Sequence, residues 1–439
     1  MSSPSAEPFV SSADAGVRAS LRRVLLDPLP PGGGLWVPAS LPGLGEREQA
    51  GMAEVAYARL AETVIGPFLG ESLGGDALRR ACEGAFDFPV PLARPPGFAG
   101  RPESRLSVLE LFRGPSGAFK DFAVRFLVRV LAAVLGAERR LTVLTATSGD
   151  TGAAVAEACA GVPGLRAVIL YPRGGVSPVQ ESQIARARPG VVALAVEGTF
   201  DDCQALVKRA LSDPGLRERH GLVTANSINP VRLIAQVPFA FHLRRLVPVG
   251  RSLGVVVPSG NLGNVAAVQL ARRMGLRLAS LTAATNVNSP LAELLAGGPY
   301  RPRRATPTLS NAMDIGDPNN LPRLLAWRDA ALPVRAQAVD DAETLETMRR
   351  VSRDGRYLLC PHTAVGWRVA ERLLAEPGAP EELAVLGTAH PGKFPEVVEA
   401  ALGPGSAPGW DGGLPPPDAL RVGSDGAELG VVLASGRGF

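Results

Sequence analysis

Lysine is nearly absent from this chain of 439 residues: of its 46 basic residues only Lys120, Lys208 and Lys393 are lysines, and arginine supplies the rest. Cysteine and histidine are scarce too, at four residues each. Cys82, Cys159, Cys203 and Cys360 stand far apart without a CxxC pair, which argues against a disulfide framework or zinc site and suits reduced thiols. His220, His242, His362 and His390 show no paired spacing, so no metal is expected. No apolar run is long enough to span a bilayer, and the first ten residues lack a basic region followed by an apolar stretch. A cytoplasmic protein with no membrane partner is therefore expected. The net charge of +4 comes from scattered arginines, with no basic stripe interleaved with aromatics, so nucleic acid is not an expected partner either.

What the chain does contain is a globular composition, 46% hydrophobic and 20% charged, with length for two or three domains. Residues 1–98 read as a mainly helical region, frayed over 1–13, and proline and glycine mark a boundary near 89–102. Beyond it, short β-rich runs alternate with helical stretches, the pattern of parallel sheets covered on both faces. From about residue 403 the chain is rich in Gly, Pro and Ser, and 404–439 reads as a flexible tail.

A chain this biased towards arginine keeps lysine where arginine cannot serve. A lysine whose ammonium is destabilised presents a free amine, which can form a Schiff base with an aldehyde. Lys120 opens a helical stretch, 122–135, that is apolar on all sides. Two strand-to-helix turns follow it: 146–152, Ala-Thr-Ser-Gly-Asp-Thr-Gly, and 259–264, Ser-Gly-Asn-Leu-Gly-Asn. Each places free backbone N–H groups at a helix N-terminus, a ready anion site. A third turn, 387–394, has Gly387, Gly392 and Lys393 at P-loop spacing, but Phe394 stands where a hydroxyl for Mg²⁺ is needed, which disfavours an ATPase. One amine and two anion loops on a parallel sheet are the parts a pyridoxal phosphate enzyme requires.

Six segments, in order, resemble threonine synthases: Glu110-Leu-Phe-Arg-Gly-Pro-Ser-Gly-Ala-Phe-Lys120-Asp-Phe, Thr145-Ala-Thr-Ser-Gly-Asp-Thr-Gly152, Asn226-Ser-Ile-Asn229, Pro258-Ser-Gly-Asn-Leu-Gly-Asn264, Thr308-Leu-Ser-Asn-Ala-Met-Asp314 and Gly387-Thr-Ala-His-Pro391. The resemblance spans roughly residues 30–400. It implies a fold type II pyridoxal phosphate enzyme, α/β and tryptophan synthase β-like, with a large cofactor domain (99–140 and 225–403) and a smaller α/β domain (141–224). By the same resemblance Lys120 is the Schiff-base lysine, Gly260, Asn261, Leu262, Gly263 and Asn264 form the cofactor-phosphate loop, and Thr388 is the hydroxyl beside the pyridine nitrogen. Thr147, Ser148, Gly149, Asp150 and Thr151 match the loop facing the substrate carboxylate and the cofactor's 3′ oxygen. Related enzymes have Asn where this chain has Asp150, and a carboxylate between two anions needs a partner or a proton. Asn226 is a candidate for the missing amide.

The reaction implied is conversion of O-phosphohomoserine and water to threonine and phosphate by γ-elimination and β-addition, in a monomer or homodimer. Arg125, just over one turn beyond Lys120, is the candidate for the substrate phosphate. Arg113, Ser116 and Gly117 stand where the family's commonest form has His, Thr and Leu, and a change of charge and bulk there could retune substrate choice. Rivals are a phospho-lyase or a threonine/serine dehydratase releasing a 2-oxo acid, and a non-catalytic cofactor carrier. Intact Lys120 and loops argue against the carrier.

Overall fold

The computed structural model describes residues 7–136, 140–410, 418–425 and 427–435. In chain order its strands are β1 (Phe9–Ser11), β2 (Arg18–Ala19), β3 (Trp36–Pro38), β4 (Leu92–Ala93), β5 (Leu106–Glu110), β6 (Leu141–Ala146) and β7 (Leu165–Pro172). They continue with β8 (Val191–Val196), β9 (Leu222–Thr224), β10 (Leu253–Pro258), β11 (Ser280–Thr285), β12 (Val334–Ala338), β13 (Glu382–Gly387) and β14 (Ala419–Val422). A small antiparallel sheet, β2-β1-β3, touches the helix Pro230–Ile234 through β3. Residues 9–11, expected to fray, are instead held by β3, where Val10 pairs with Val37.

The larger sheet has the order β12-β11-β10-β13-β5-β4 and is parallel except for β4. The smaller has the order β14-β8-β7-β6-β9 and is parallel throughout. Strands buried on both faces must be apolar on both, and Val255, Val256 and Val257 in β10 are all fully buried. The helix Lys120–Leu135 packs against helices Gly75–Ala85, Asp150–Cys159 and Pro230–Ile234, so it too is apolar all round. Phe122 and Phe126 are fully buried there, each contributing about 2–3 kcal/mol of apolar transfer free energy.

The expected loose tail is not what the described part of 404–439 forms. β14 extends the smaller sheet at β8, with Leu420 opposite Leu194, and the helix Ala427–Ala434 buries Leu429 and Leu433 against that sheet's core. The apolar residues of this short stretch were masked by the glycine and proline around them.

Ligands of open parallel sheets lie beyond the carboxyl ends of the strands. Here the turns that follow β5, β6, β10 and β13 converge, and they carry the lysine motif, the 147–152 loop, the 259–264 loop and Thr388.

Candidate active site

The lysine motif is a wrapped turn. Asp121, fully buried in the first turn of its helix, accepts the Ser116 N–H at 2.9 Å, and a Cβ at Gly114 would stand 2.5 Å from its Oδ2. The chain can therefore fold over the carboxylate only where residue 114 has no side chain. Phe119 N–H donates to Thr388 O at 2.9 Å, which fixes Lys120 beside the β13 turn. Burial pulls the Lys120 ammonium down to about 7; Arg232 pushes the same way and Asp150 opposes. The side chain lines a cavity at the strand ends.

The second wall is the loop after β10. Leu262 takes the left-handed conformation (φ 60°) to start the helix Gly263–Arg273. Ser259 Oγ accepts the Leu262 N–H and donates to Asn264 Oδ1 at 2.6 Å, while Asn264 Nδ2 donates to Pro258 O at 2.9 Å. Asn261 braces outward, donating to Ser227 Oγ and accepting from Asn319 N. These side chains hold the loop open, and among the described residues the N–H groups of Gly260, Asn261, Gly263 and Asn264 donate to no protein group. A Cβ on Gly260 would lie 2.7 Å from Met313 Cα and O. The result is a cradle of backbone donors at a helix N-terminus, which suits a phosphate.

Thr388 completes the cofactor fit. Its N–H donates to Thr363 Oγ1 at 3.3 Å and its carbonyl accepts from Phe119, while its buried hydroxyl has no partner. Amine, donor cradle and orphan hydroxyl line one cavity, as pyridoxal phosphate requires.

The smaller sheet supplies the facing wall. Thr147, Ser148, Asp150, Thr151 and Asn226 line the same cavity. Thr147 Oγ1 accepts the N–H groups of Gly149 and Gly152, so it shapes the loop. Gly149 lies behind the wall: at φ 131° it leaves room for Gln180, which a Cβ would meet at 2.3 Å. Asp150 has the partner its position demands. Lys393 Nζ, fully buried, lies 2.8 Å from Asp150 Oδ1, and Gln180 Nε2 donates to the same oxygen at 3.0 Å. Burial would raise this carboxyl, but Lys393 foremost and His362 next bring it below the usual range.

Arg125 is not in the cavity. It pairs with Asp87 at 2.8 Å, donates to Gly84 O and lies over Phe88. Five residues of helix turn through about 500°, which points residue 125 roughly 140° away from Lys120. The arginine that does line the cavity is Arg232, 3% exposed, donating Nη1 to Ala225 O and leaving Nε without a partner. It lies three residues beyond the Asn226–Asn229 segment, and that proximity was the available signal. His362 also lines the cavity; its Nε2 accepts the Ala312 N–H, and burial lowers its pKa to about 4.

The two departures that change charge and bulk, Arg113 and Gly117, do not line the cavity. Arg113 pairs with Glu110, which also accepts from Tyr357. Gly117, at φ 67°, faces Trp410, whose ring would stand 2.3 Å from a Cβ there. The indole fills the room a leucine side chain would take.

Residues 86–392 match the family described as pyridoxal-phosphate dependent enzyme, and 8–86 match the threonine synthase N terminus. Threonine synthase of Escherichia coli is 41% identical over 378 residues, covering 84% of this chain and 85% of that protein. The crystal structure of threonine synthase from E. coli superposes with a TM-score of 0.89 at 37% identity, over 97% of this chain and 99% of that one. A structure described as PLP-bound threonine synthase from Brucella melitensis superposes with a TM-score of 0.86 at 32% identity, over 97% and 98%.

Proposed function

The chain belongs to the threonine synthase family of pyridoxal phosphate enzymes, and from that premise we propose which of its residues convert O-phosphohomoserine and water to threonine and phosphate. One observation carries the assignment: a lysine amine, four backbone N–H groups without partners among the described residues, and an orphan hydroxyl meet in one cavity.

Lys120 would hold the cofactor's aldehyde, the N–H groups of Gly260, Asn261, Gly263 and Asn264 its phosphate, and Thr388 its ring nitrogen. Bound pyridoxal phosphate supplies an electron sink for negative charge at the substrate's Cα. Exchange with the substrate's amine would free Lys120 Nζ, which would then take the proton from Cα and move protons at Cβ and Cγ. With a pKa near 7 its amine both accepts and returns a proton at neutral pH. Thr147, Ser148 and Thr151 hold the substrate carboxylate end, and Asn226 supplies the amide for the cofactor's 3′ oxygen. Arg232 takes the role first given to Arg125: its guanidinium binds the substrate phosphate and steadies the charge that grows as the group leaves Cγ.

In this scheme residues 99–140 and 225–403 form the cofactor domain around the larger sheet, and 141–224 with 419–434 form the smaller one. The enzyme works in the cytoplasm, where its four buried free cysteines stay reduced, and is a monomer or homodimer. No helix among the described residues is long and apolar enough to cross a membrane.

The test is spectral and chemical. The purified protein should absorb at roughly 410–420 nm, the range of a lysine-bound pyridoxal. Lys120→Ala should lose that band, and the wild type should form threonine in step with phosphate. Phosphate with 2-oxobutyrate would move the chain to the phospho-lyase rival, and a band surviving in Lys120→Ala would remove Lys120 from its role.

A further inference from the structure

Of the three lysines, Lys120 lines this cavity and Lys393 pairs with Asp150, a residue of its wall. Lys393 lies in the turn Pro391–Lys393 after β13 of the larger sheet, with none of its side chain exposed. Its ammonium donates to Ser116 O at 2.8 Å, in the turn that precedes Lys120, and pairs with Asp150 at 2.8 Å, on the first residue of a helix of the smaller sheet. Two bonds beside it cross the same boundary: Ser177 Oγ donates to Lys393 O at 2.7 Å, and Gln183 Nε2 donates to Ser116 O at 3.0 Å. Trp410 covers the outer side, 6.0 Å from the ammonium.

We propose that Lys393 is a positioning residue for catalysis. It clamps the Asp150 end of the smaller sheet's helix to the Lys120 turn, so that an ionised carboxylate is held facing Lys120. An unpartnered buried carboxylate takes up a proton, so the clamp also decides the charge that Lys120 meets. Asp150 is faced by Lys393, Lys120, His362, the Cys360 thiol and the neutral Gln180 amide; Lys120 is faced by Arg232, Asp150, Lys393 and His362. Asp150 is the one anion acting on Lys120 among these groups. The catalytic meaning of the clamp rests on the assignment of Lys120 above, whereas the titration below tests the clamp whether or not that assignment holds.

The scarcity of lysine makes the test direct. Full-length, cofactor-free protein labelled with ¹³C at lysine Cε should give three resonances, with Lys120 identified by its loss in Lys120→Ala. In Lys393→Met, Asp150 loses its counter-ion and becomes neutral, and the Lys120 titration midpoint should fall by about half a pH unit or more. Asp150→Asn should lower it as well. The thermal midpoint should fall in each single variant, and Lys393→Met with Asp150→Asn should recover at least half of the summed loss, because the double change leaves no buried charge alone. A Lys120 midpoint that rises in Lys393→Met would mean that Asp150 stays ionised unaided and would overturn the proposal. Additive losses in the double variant would overturn it too. If Lys393→Met does not fold, the double variant decides by its fold: a folded protein is expected, because no buried charge is left alone, and a double variant that also fails to fold refutes the clamp.

Discussion

Replacing Lys120 by methionine should stabilise the cofactor-free protein while abolishing its chemistry. The folded protein holds this ammonium near 7, chiefly by burial and then by Arg232, against the opposing pull of Asp150. In the unfolded chain a lysine returns to about 10.4. Between those values the unfolded state binds a proton that the folded state does not, so stability rises with pH from about 7 to about 10.5, and the penalty is complete below 7. The penalty is about 4 kcal/mol at pH 7 and about 1 kcal/mol at pH 9.5. Methionine has the length to fill the same space and no proton to lose. Lys120→Met should therefore exceed the wild type by up to about 4 kcal/mol at pH 7, with the gap closing by about 3 kcal/mol at pH 9.5. Urea unfolding of the two cofactor-free proteins at both pH values, followed by fluorescence, measures that gap, and every other titrating group cancels in the comparison. A gap that is constant or widens with pH would refute a destabilised ammonium at this position.

Four further outcomes follow from the geometry. Gly260→Ala would press a Cβ against the Met313 backbone, and equilibrium dialysis should show pyridoxal phosphate binding weakened about tenfold or more, because backbone cannot swing aside. Arg232→Gln should raise KM for O-phosphohomoserine about 30-fold or more with the cofactor band retained, as expected for a lost charge-assisted contact. Arg125→Gln should leave KM within about twofold, since that side chain is engaged with Asp87 and Phe88. Gly117→Leu should lower the thermal midpoint by colliding with Trp410, and adding Trp410→Ala should restore part of it.

The parts of the site that could be read along the chain are those whose geometry is local. The 259–264 loop is a strand, a turn and a helix start within a few residues, so its anion cradle is visible as soon as the glycines are placed. Lys120 stood out by scarcity. Lys393 was equally scarce, but its partner lies 243 positions away on another sheet, as Asp150 and Lys393 pair only through the tertiary fold. Arg125 failed on helical phase: four residues return to the same face and five do not. Arg232 was hidden among arginines, and only its place in the cavity wall distinguishes it. Residues 419–434 read as tail because composition averages over a window, whereas a four-residue strand needs only an available edge.

The strand pairings also set an order of assembly. β5 lies next to β13, and β8 next to β14, each pair separated by more than two hundred residues. While the chain is being made, neither parallel sheet can close until its distant partner has emerged, and in the meantime the edges of β5 and β8 are bare. Such non-local closure is slow, and unpaired edges recruit one another. The chain that binds a small metabolite so locally should thus depend on timing to be born intact: synthesis stalled before residue 419 leaves β8 as an adhesive rim, and chaperone demand should concentrate there.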